Sequence, residues 1–284
     1  MTLTLTEVFK EIFKTLKSKQ IENPGLETNM IISYVLKMSN EKIFIQKERR
    51  VYKKTLNKIY NLINKRIKGM PVAYLLKNAY FYSNKFFVNN NVLIPRPETE
   101  LLVEQAYESI KNKKDQQILD LCCGSGCVGI SIYRKLQHKP QIVFSDISRE
   151  ALRVCKKNLM RFRIKKNSTI IQSDLFHKIN KKFNLIVCNP PYINYRDFLN
   201  LEKSIKNYEP KKALVSTQNG TGHLKKIIKD SKKKLYEDGI LIVEIGYDQS
   251  NEIEDFFKKH GFNDIVVLKD LSGIKRAISA KWKK

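Results

Sequence analysis

From Gln117 onward the chain repeats one pattern, a short apolar run rich in β-branched residues followed by a helix-length amphipathic segment. No other feature narrows the possible folds as far. The runs lie at 117–121, 141–145, 169–172, 185–188, 240–245, 264–268 and 276–281, with helical segments such as 150–161 and 224–235 between them. Continuous apolar strands joined through helices predict a mainly parallel sheet covered on both faces, an α/β fold. The last two runs are separated only by 269–274, too short for a parallel crossover, so they should pair antiparallel. Ligands in such sheets bind at the carboxyl ends of the strands, near the point where the strand order reverses.

The first 70 residues have a different period. Val8, Phe9, Ile12, Phe13 and Leu16 share one helical face, as do Met30, Ile31, Tyr34, Val35 and Met38, and then Leu56, Ile59, Tyr60, Ile63 and Ile67. Asn23-Pro24-Gly25 separates the first two helices and Gly69-Met70-Pro71 stops the last, which predicts a small helical bundle. Residues 79–95 carry two β-prone runs, Ala79-Tyr80-Phe81-Tyr82 and Phe86-Phe87-Val88, and read as a β-hairpin linker. The expected organisation is a helical domain over 1–76, a hairpin linker over 77–95 and an α/β domain over 96–284.

With 42% hydrophobic residues among 284, the chain can bury a sizeable core. No apolar run approaches the roughly 18–20 residues that span a bilayer, and the first residues lack the pattern of a signal peptide. A cytoplasmic protein is expected, with no membrane association. The five cysteines follow no metal-ligand spacing and have no histidine nearby, so no metal is expected and small buried hydrophobes are the better reading. The net charge of +26 suits a nucleic-acid or ribosome-associated setting, but the lysines are scattered and mark no specific nucleic-acid site.

The run Ile118-Leu119-Asp120-Leu121 leads directly into Cys122-Cys123-Gly124-Ser125-Gly126 and a helix. A strand, a glycine turn and a helix bring backbone close to a ligand. Asp146, twenty residues past Gly126, ends the next strand, where an acid can accept hydrogen bonds from both ribose hydroxyls of an adenosine. Gly124, Gly126 and Gly129 also satisfy the dinucleotide-binding spacing, so the loop alone admits either a dinucleotide or S-adenosylmethionine (SAM). Asp120 favours SAM, since a carboxylate there can hold the methionyl ammonium and would repel a pyrophosphate. The third run ends in Gln172-Ser173-Asp174-Leu175-Phe176, where either a polar residue with apolar neighbours holds an adenine edge and face or Asp174 caps a turn with Leu175 and Phe176 in the core.

The fourth run ends in Asn189-Pro190-Pro191-Tyr192. Two prolines remove backbone donors and leave carbonyls free to face a cleft. The Asn189 side-chain oxygen and the Pro190 carbonyl can accept both hydrogens of a planar –NH2 group, and Tyr192 can lie against its plane. Such a nitrogen has a delocalised lone pair and is a poor nucleophile; two fixed acceptors orient it and stabilise the positive charge it gains in attacking a sulfonium methyl. No strong base is needed, because the alkylated nitrogen is acidic. His138, His177, His223 and His260 all lie away from the motif in sequence.

Further segments give the chain a specific resemblance. Gly69-Met70-Pro71-Val72-Ala73-Tyr74, Leu93-Ile94-Pro95-Arg96-Pro97-Glu98-Thr99-Glu100, Tyr208-Glu209-Pro210 with Ala213-Leu214, Val243-Glu244-Ile245-Gly246, and Asp270 with Gly273 and Arg276 accompany the Asn-Pro-Pro-Tyr motif. Nearly end to end, the chain resembles the HemK/PrmC family of protein-(glutamine-N5) methyltransferases. That resemblance implies a class I SAM-dependent methyltransferase sheet, Rossmann-like, preceded by a helical domain that helps hold the protein substrate. The implied substrate is the glutamine of the Gly-Gly-Gln motif in class 1 peptide chain release factors, methylated by a cytoplasmic enzyme that acts as a monomer.

By the same resemblance Asn189, Pro190, Pro191 and Tyr192 hold the glutamine amide, while Asp120, Cys122, Cys123, Gly124, Ser125, Gly126, Asp146, Leu175 and Asn189 line the SAM site. Arg96, Pro97, Glu98, Thr99 and Glu100 would shape the cleft. Two positions depart from the family pattern. Cys122 stands where the first loop glycine is usual, so its Cβ is strained if that backbone needs a positive φ, and Asn219-Gly220 stands for Asp-Gly in a later turn. Other readings of the tetrapeptide are an exocyclic-amine methyltransferase acting on DNA or RNA bases, one acting on a ribosomal-protein glutamine, or a binding protein that keeps the fold without the cofactor.

Overall fold

The computed structural model describes residues 2–283. They form two compact units. One comprises the chain through Asn78 together with Lys203–Tyr208, and the other Ala79–Glu202 with Glu209–Lys284.

In the first unit β1 (Thr2–Thr4) is followed by α1 (Leu5–Ser18), α2 (Pro24–Leu36), α3 (Asn40–Ile45), β2 (Arg50–Tyr52), α4 (Lys53–Ile67) and α5 (Val72–Leu76). A capping box starts α1: the Glu7 amide donates to Thr4 Oγ1 at 3.2 Å, and the Thr4 amide donates to Glu7 Oε2 at 2.7 Å. A cap of this kind stabilises a helix by about 1 kcal/mol. Pro24 and Gly25, expected as a break, form the first turn of α2, because proline's fixed φ suits a first helical position. The core joins Val8, Ile12 and Leu16 to Ile31, Ile32, Ile59 and Ile63. Tyr34, on the expected face of α2, is exposed; the buried face turns toward Thr28, Ile31 and Ile32.

Periodicity gave no sign of β1 and β2, which pair antiparallel with Leu3 opposite Val51. Three-residue strands are shorter than any window in which a period can be read. Arg66 clamps Glu27 through two bonds of 2.6 and 3.0 Å, joining α4 to α2. In the inserted segment, the Tyr208 hydroxyl donates to the Lys68 carbonyl at 3.0 Å.

The second unit opens with a hairpin of β3 (Asn78–Phe81) and β4 (Asn84–Phe87). Its turn is Tyr82-Ser83, both residues in the left-handed region, which matches strand twist as a two-residue loop requires. After α6 (Glu100–Ile110) come β5 (Gln117–Leu121), α7 (Cys127–Lys135), β6 (Gln141–Asp146), α8 (Arg149–Arg161), β7 (Ser168–Gln172), β8 (Phe183–Cys188) and α9 (Tyr195–Asn200), before the chain returns to the first unit for α10 (Lys203–Tyr208). Then follow α11 (Gly222–Ser231), β9 (Leu235–Glu244), α12 (Ser250–Lys259), β10 (Phe262–Lys269) and β11 (Lys275–Trp282).

The seven strands lie in the order β10-β11-β9-β8-β5-β6-β7. Six run in one direction and β11 alone is reversed, pairing antiparallel with both β9 and β10, as the short 269–274 loop requires. One face of the sheet is covered by Leu102 and Val103 of α6, Ile130 and Ile132 of α7, and Cys155 and Leu159 of α8. The other is covered by Ile227 and Ile228 of α11 and by Ile253 and Phe257 of α12. The helix expected over 224–235 ends at Ser231, since Leu235 already pairs with Phe183 on β8. Its apolar spacing fits a helix, but sheet pairing and burial win. Strand order reverses between β5 and β8, where Leu121 faces Cys188, so the segments beginning at Cys122 and Asn189 leave the sheet side by side.

Candidate active site

At that reversal the second unit contains a cavity of about 250 Å³. Of the residues expected at the site, Arg96, Thr99, Asp120, Cys122, Cys123, Gly124, Ser125, Asp146, Leu175, Asn189 and Pro191 line it. Pro97, Glu98, Glu100, Gly126, Pro190 and Tyr192 are not among the lining residues. Gly126 faces the core instead: with φ +78 it precedes α7, and a Cβ there would lie 2.8 Å from Cys155 Sγ. Glu100 accepts the Tyr82 amide at 2.7 Å and so holds the hairpin turn.

The loop after β5 is built around two acids. Asp120 is buried, and its Oδ2 accepts the Gly129 amide of α7 at 2.9 Å. Burial pushes its carboxyl up to about 7; the Gly129 bond opposes this and the neighbouring Asp146 adds to it. Asp146 accepts from Gly124 N through Oδ2 and from Ser148 N through Oδ1, both at 2.9 Å, and burial raises its pKa as well.

A pyrophosphate would need the free amides of a helix N-terminus. Here a resident carboxylate already takes one of them, and the cavity suits a cationic group near Asp120 and hydroxyls near Asp146. Gly124 is left-handed at φ +52, and a Cβ there would meet nothing within 4 Å, so backbone is open to a ligand. The residues present therefore fit the SAM implied by the sequence and fit a dinucleotide poorly.

Cys122 has φ +57, the strained geometry anticipated for a residue standing at a glycine position. A left-handed non-glycine residue costs roughly 1–2 kcal/mol. Its thiol lies against that of Cys188, whose pKa is pushed far up by burial and then by this neighbour. Leu175 is likewise left-handed at φ +44 and buried. Strain of this kind gathers where the surrounding structure must hold a ligand wall in place. Among the described residues no three His, Cys, Asp or Glu side chains group as a metal would need.

At the mouth of β8, Asn189 Nδ2 donates to Thr99 Oγ1 at 3.1 Å. The Tyr192 hydroxyl donates to Glu244 Oε1 at 2.9 Å, and the Tyr192 carbonyl accepts from Gln249 Nε2 at 2.9 Å. Burial, then the Glu244 carboxyl, raises the Tyr192 pKa, so it remains a neutral phenol.

The other sequence segments gain physical roles. Glu209 binds Arg96 at 2.5 Å and the Ile94 amide at 3.2 Å, fastening Tyr-Glu-Pro to Pro-Arg-Pro. Asp270 pairs with Arg276 at 2.9 Å and caps the Ser272 and Ile274 amides, shaping the turn between β10 and β11. Asn219 is left-handed at φ 54, a conformation asparagine accepts, so the change from Asp-Gly is accommodated.

Sequence reasoning missed His223, Ser148 and Lys211 in the cavity wall, whereas Ser173, Asp174 and Leu175 of the segment singled out after the third run do line it. His223, set aside as one of four scattered histidines, has Nδ1 2.7 Å from Ser216 Oγ, and burial lowers its pKa. No local pattern announces these positions, whereas the strand-end rule marks Ser173, beside β7.

Among the described residues no helix is long and apolar enough to cross a membrane. Residues 97–206 match the Methyltransferase small domain and residues 7–76 match the PrmC N-terminal domain. The chain is 34% identical over 282 residues to the release factor glutamine methyltransferase of Clostridium botulinum, covering 98% of this chain and 99% of that one. It is 38% identical over 280 residues to the protein of the same name from Leptospira interrogans, covering 97% of each. Among solved structures, the hMettl16 catalytic domain aligns at 14% identity with a TM-score of 0.56, covering 83% of this chain and 84% of that one. That likeness concerns the fold alone, and the fold is that of class I SAM-dependent methyltransferases. The near full-length identity goes further: this chain belongs to the release factor glutamine methyltransferase family.

Proposed function

We propose that this protein transfers a methyl group from SAM to the side-chain amide nitrogen (N5) of the glutamine in the Gly-Gly-Gln motif of class 1 peptide chain release factors. It does so in the cytoplasm, as a monomer. When bound, SAM supplies a methyl group on a sulfonium, an electrophile whose leaving group is a neutral thioether. Asp120 would take the methionyl ammonium and Asp146 the ribose hydroxyls, while Gly124 would let the ligand lie against backbone and Leu175 would offer an apolar wall.

The observation that carries this reading is the orientation of Asn189. Its NH2 end is committed to Thr99, which leaves Oδ1 as an acceptor beside a cavity with an acid at the end of each of two adjacent strands. With the Pro190 carbonyl it forms two acceptors for the two hydrogens of a primary amide. Holding both lets the nitrogen lone pair face the methyl group and stabilises its growing positive charge. The methylated nitrogen then loses a proton to water, so no basic side chain is required.

Incubation with methyl-labelled SAM and a release factor should label the loop glutamine, and changing that glutamine to alanine should abolish the label. Labelling that survives the change, or that goes to nucleic acid or ribosomal protein in preference to release factor, would replace this substrate. Asn189→Ala should lower kcat by about 10²-fold or more, as loss of a transition-state hydrogen-bonding partner does. Its SAM affinity, read by calorimetry, should stay near that of the wild type.

A further inference from the structure

We infer that Glu244 and Thr99 are positioning residues that fix which end of the Asn189 amide faces the substrate. The inference rests on the proposed role of Asn189 and explains what enforces it. Parallel pairing sets Cys188 of β8 opposite Val243 of β9, so Glu244 leaves the sheet next to Asn189. Glu244 is 3% exposed and so is Thr99. Glu244 Oε1 accepts the Tyr192 hydroxyl, while Oε2 has no partner at hydrogen-bonding geometry. Thr99, whose hydroxyl oxygen accepts from Asn189 Nδ2, also favours the ionised form of the Glu244 carboxyl.

A hydroxyl has one proton and two lone pairs. Beside a carboxylate, the Thr99 proton turns toward Glu244 and a lone pair is left for Asn189 Nδ2. The amide is thereby locked with its NH2 inward and its oxygen toward the acceptor. If the carboxylate is neutralised, Thr99 is free to donate to Asn189 instead, and the amide can turn over. It would then present a donor to a substrate –NH2 that needs an acceptor. The Pro190 carbonyl, being backbone, is indifferent to this switch. One buried carboxyl thus governs one of the two acceptors, and through Tyr192 it also fixes the ring beside them.

Burial pushes Glu244 up to about 7. Thr99 and Tyr192 oppose the rise, Glu98 adds to it and Arg276 opposes it; Arg96 is the further charge acting on Tyr192. Because the ionised form is the one that orients Asn189, kcat at saturating SAM should rise with pH through about 7.

The test compares wild type with Glu244→Gln, Thr99→Val and Thr99→Ser. Glu244→Gln and Thr99→Val should lose at least about tenfold in kcat, with SAM affinity by calorimetry kept near wild type, and the urea midpoint kept near wild type at about pH 5, where Glu244 is protonated. Thr99→Ser should recover most of the rate, and the pH dependence should flatten in Glu244→Gln. In nitrogen-15 NMR the Asn189 side-chain NH2 signals should titrate near pH 7 in the wild type and not in Glu244→Gln, a readout that needs no acceptor protein. Full rates in Thr99→Val and Glu244→Gln, equal loss in Thr99→Ser and Thr99→Val, or an Asn189 signal blind to Glu244 would each overturn the inference. A wild type that leaves release factors unlabelled while its Asn189 signal still titrates would overturn the substrate and keep the positioning.

Discussion

Asp120 is buried beside the cavity, and in the proposed reaction it takes the cationic end of SAM. Its carboxyl stands at about 7 because it is buried, so near neutrality it is part-protonated. An ammonium in contact with it favours the ionised form. SAM binding below that pKa must therefore release a proton, and affinity should tighten as pH rises from 6 to 7.5, by up to roughly tenfold per pH unit at the acid end. Calorimetry in two buffers of different ionisation enthalpy would detect the released proton. Equal affinity at both pH values, with no buffer-dependent heat, would separate Asp120 from the ammonium.

At this scale the reading of the chain was strong where neighbours in sequence share a task and weak where they do not. Asn189-Pro190-Pro191-Tyr192 could be singled out because the four residues are adjacent, and the proposed chemistry gives them one task. The dependence of Asn189 on Thr99 does not show in the sequence, since 90 positions separate the two. The contact between the Cys122 and Cys188 thiols arises only from the pairing of β5 with β8.

Between the elements, the turn at Gly220 is the most exacting. Its φ is +93, and a Cβ there would lie 2.3 Å from the Tyr192 carbonyl oxygen and 2.7 Å from Gln249 Nε2. Gly220→Ala should push Tyr192 off its Gln249 anchor and lower kcat about tenfold or more while SAM affinity holds. It should also cost on the order of 1–3 kcal/mol in stability from strain and overpacking. Steady-state kinetics beside urea unfolding would separate the two effects, and an unchanged kcat would show that the Tyr192 backbone need not be held.

The strands of the large sheet were legible because each contains a short apolar run bounded by helices or turns, except the start of β9 at Leu235, whose spacing reads as helix. The short elements were not. α5, α9 and α10 have five or six residues each, fewer than two full turns, and their conformations are set by tertiary contacts in place of a readable period.

For the molecule as a whole, burial of Asp120 and Glu244 ties stability to pH in an unusual direction. Both carboxyls titrate near 7 in the folded chain, from ordinary values of 3.8 and 4.5. Between those limits the folded state holds more protons than the unfolded state, so stability falls as pH rises from about 5 to 7.5. The slope is on the order of 1 kcal/mol per pH unit for each group. His223, whose pKa is lowered, acts the opposite way below its ordinary 6.5 and blunts the acid end of the trend. Urea unfolding at several pH values should show the decline, and Asp120→Asn should flatten it; a wild type whose stability climbs over that range would contradict the burial argument.

The insertion of Lys203–Tyr208 among the residues of the first unit has a practical bearing on dissection. The chain passes from one unit to the other three times, after Asn78, Glu202 and Tyr208, so no single cut divides it. A fragment beginning at Ala79 would keep a one-turn helix whose tyrosine has lost the Lys68 carbonyl it was built to reach, and a fragment ending at Asn78 would lack that helix altogether. Shortened genes, fusions and circular permutants should respect this stitching and transplant the six residues along with the bundle they serve.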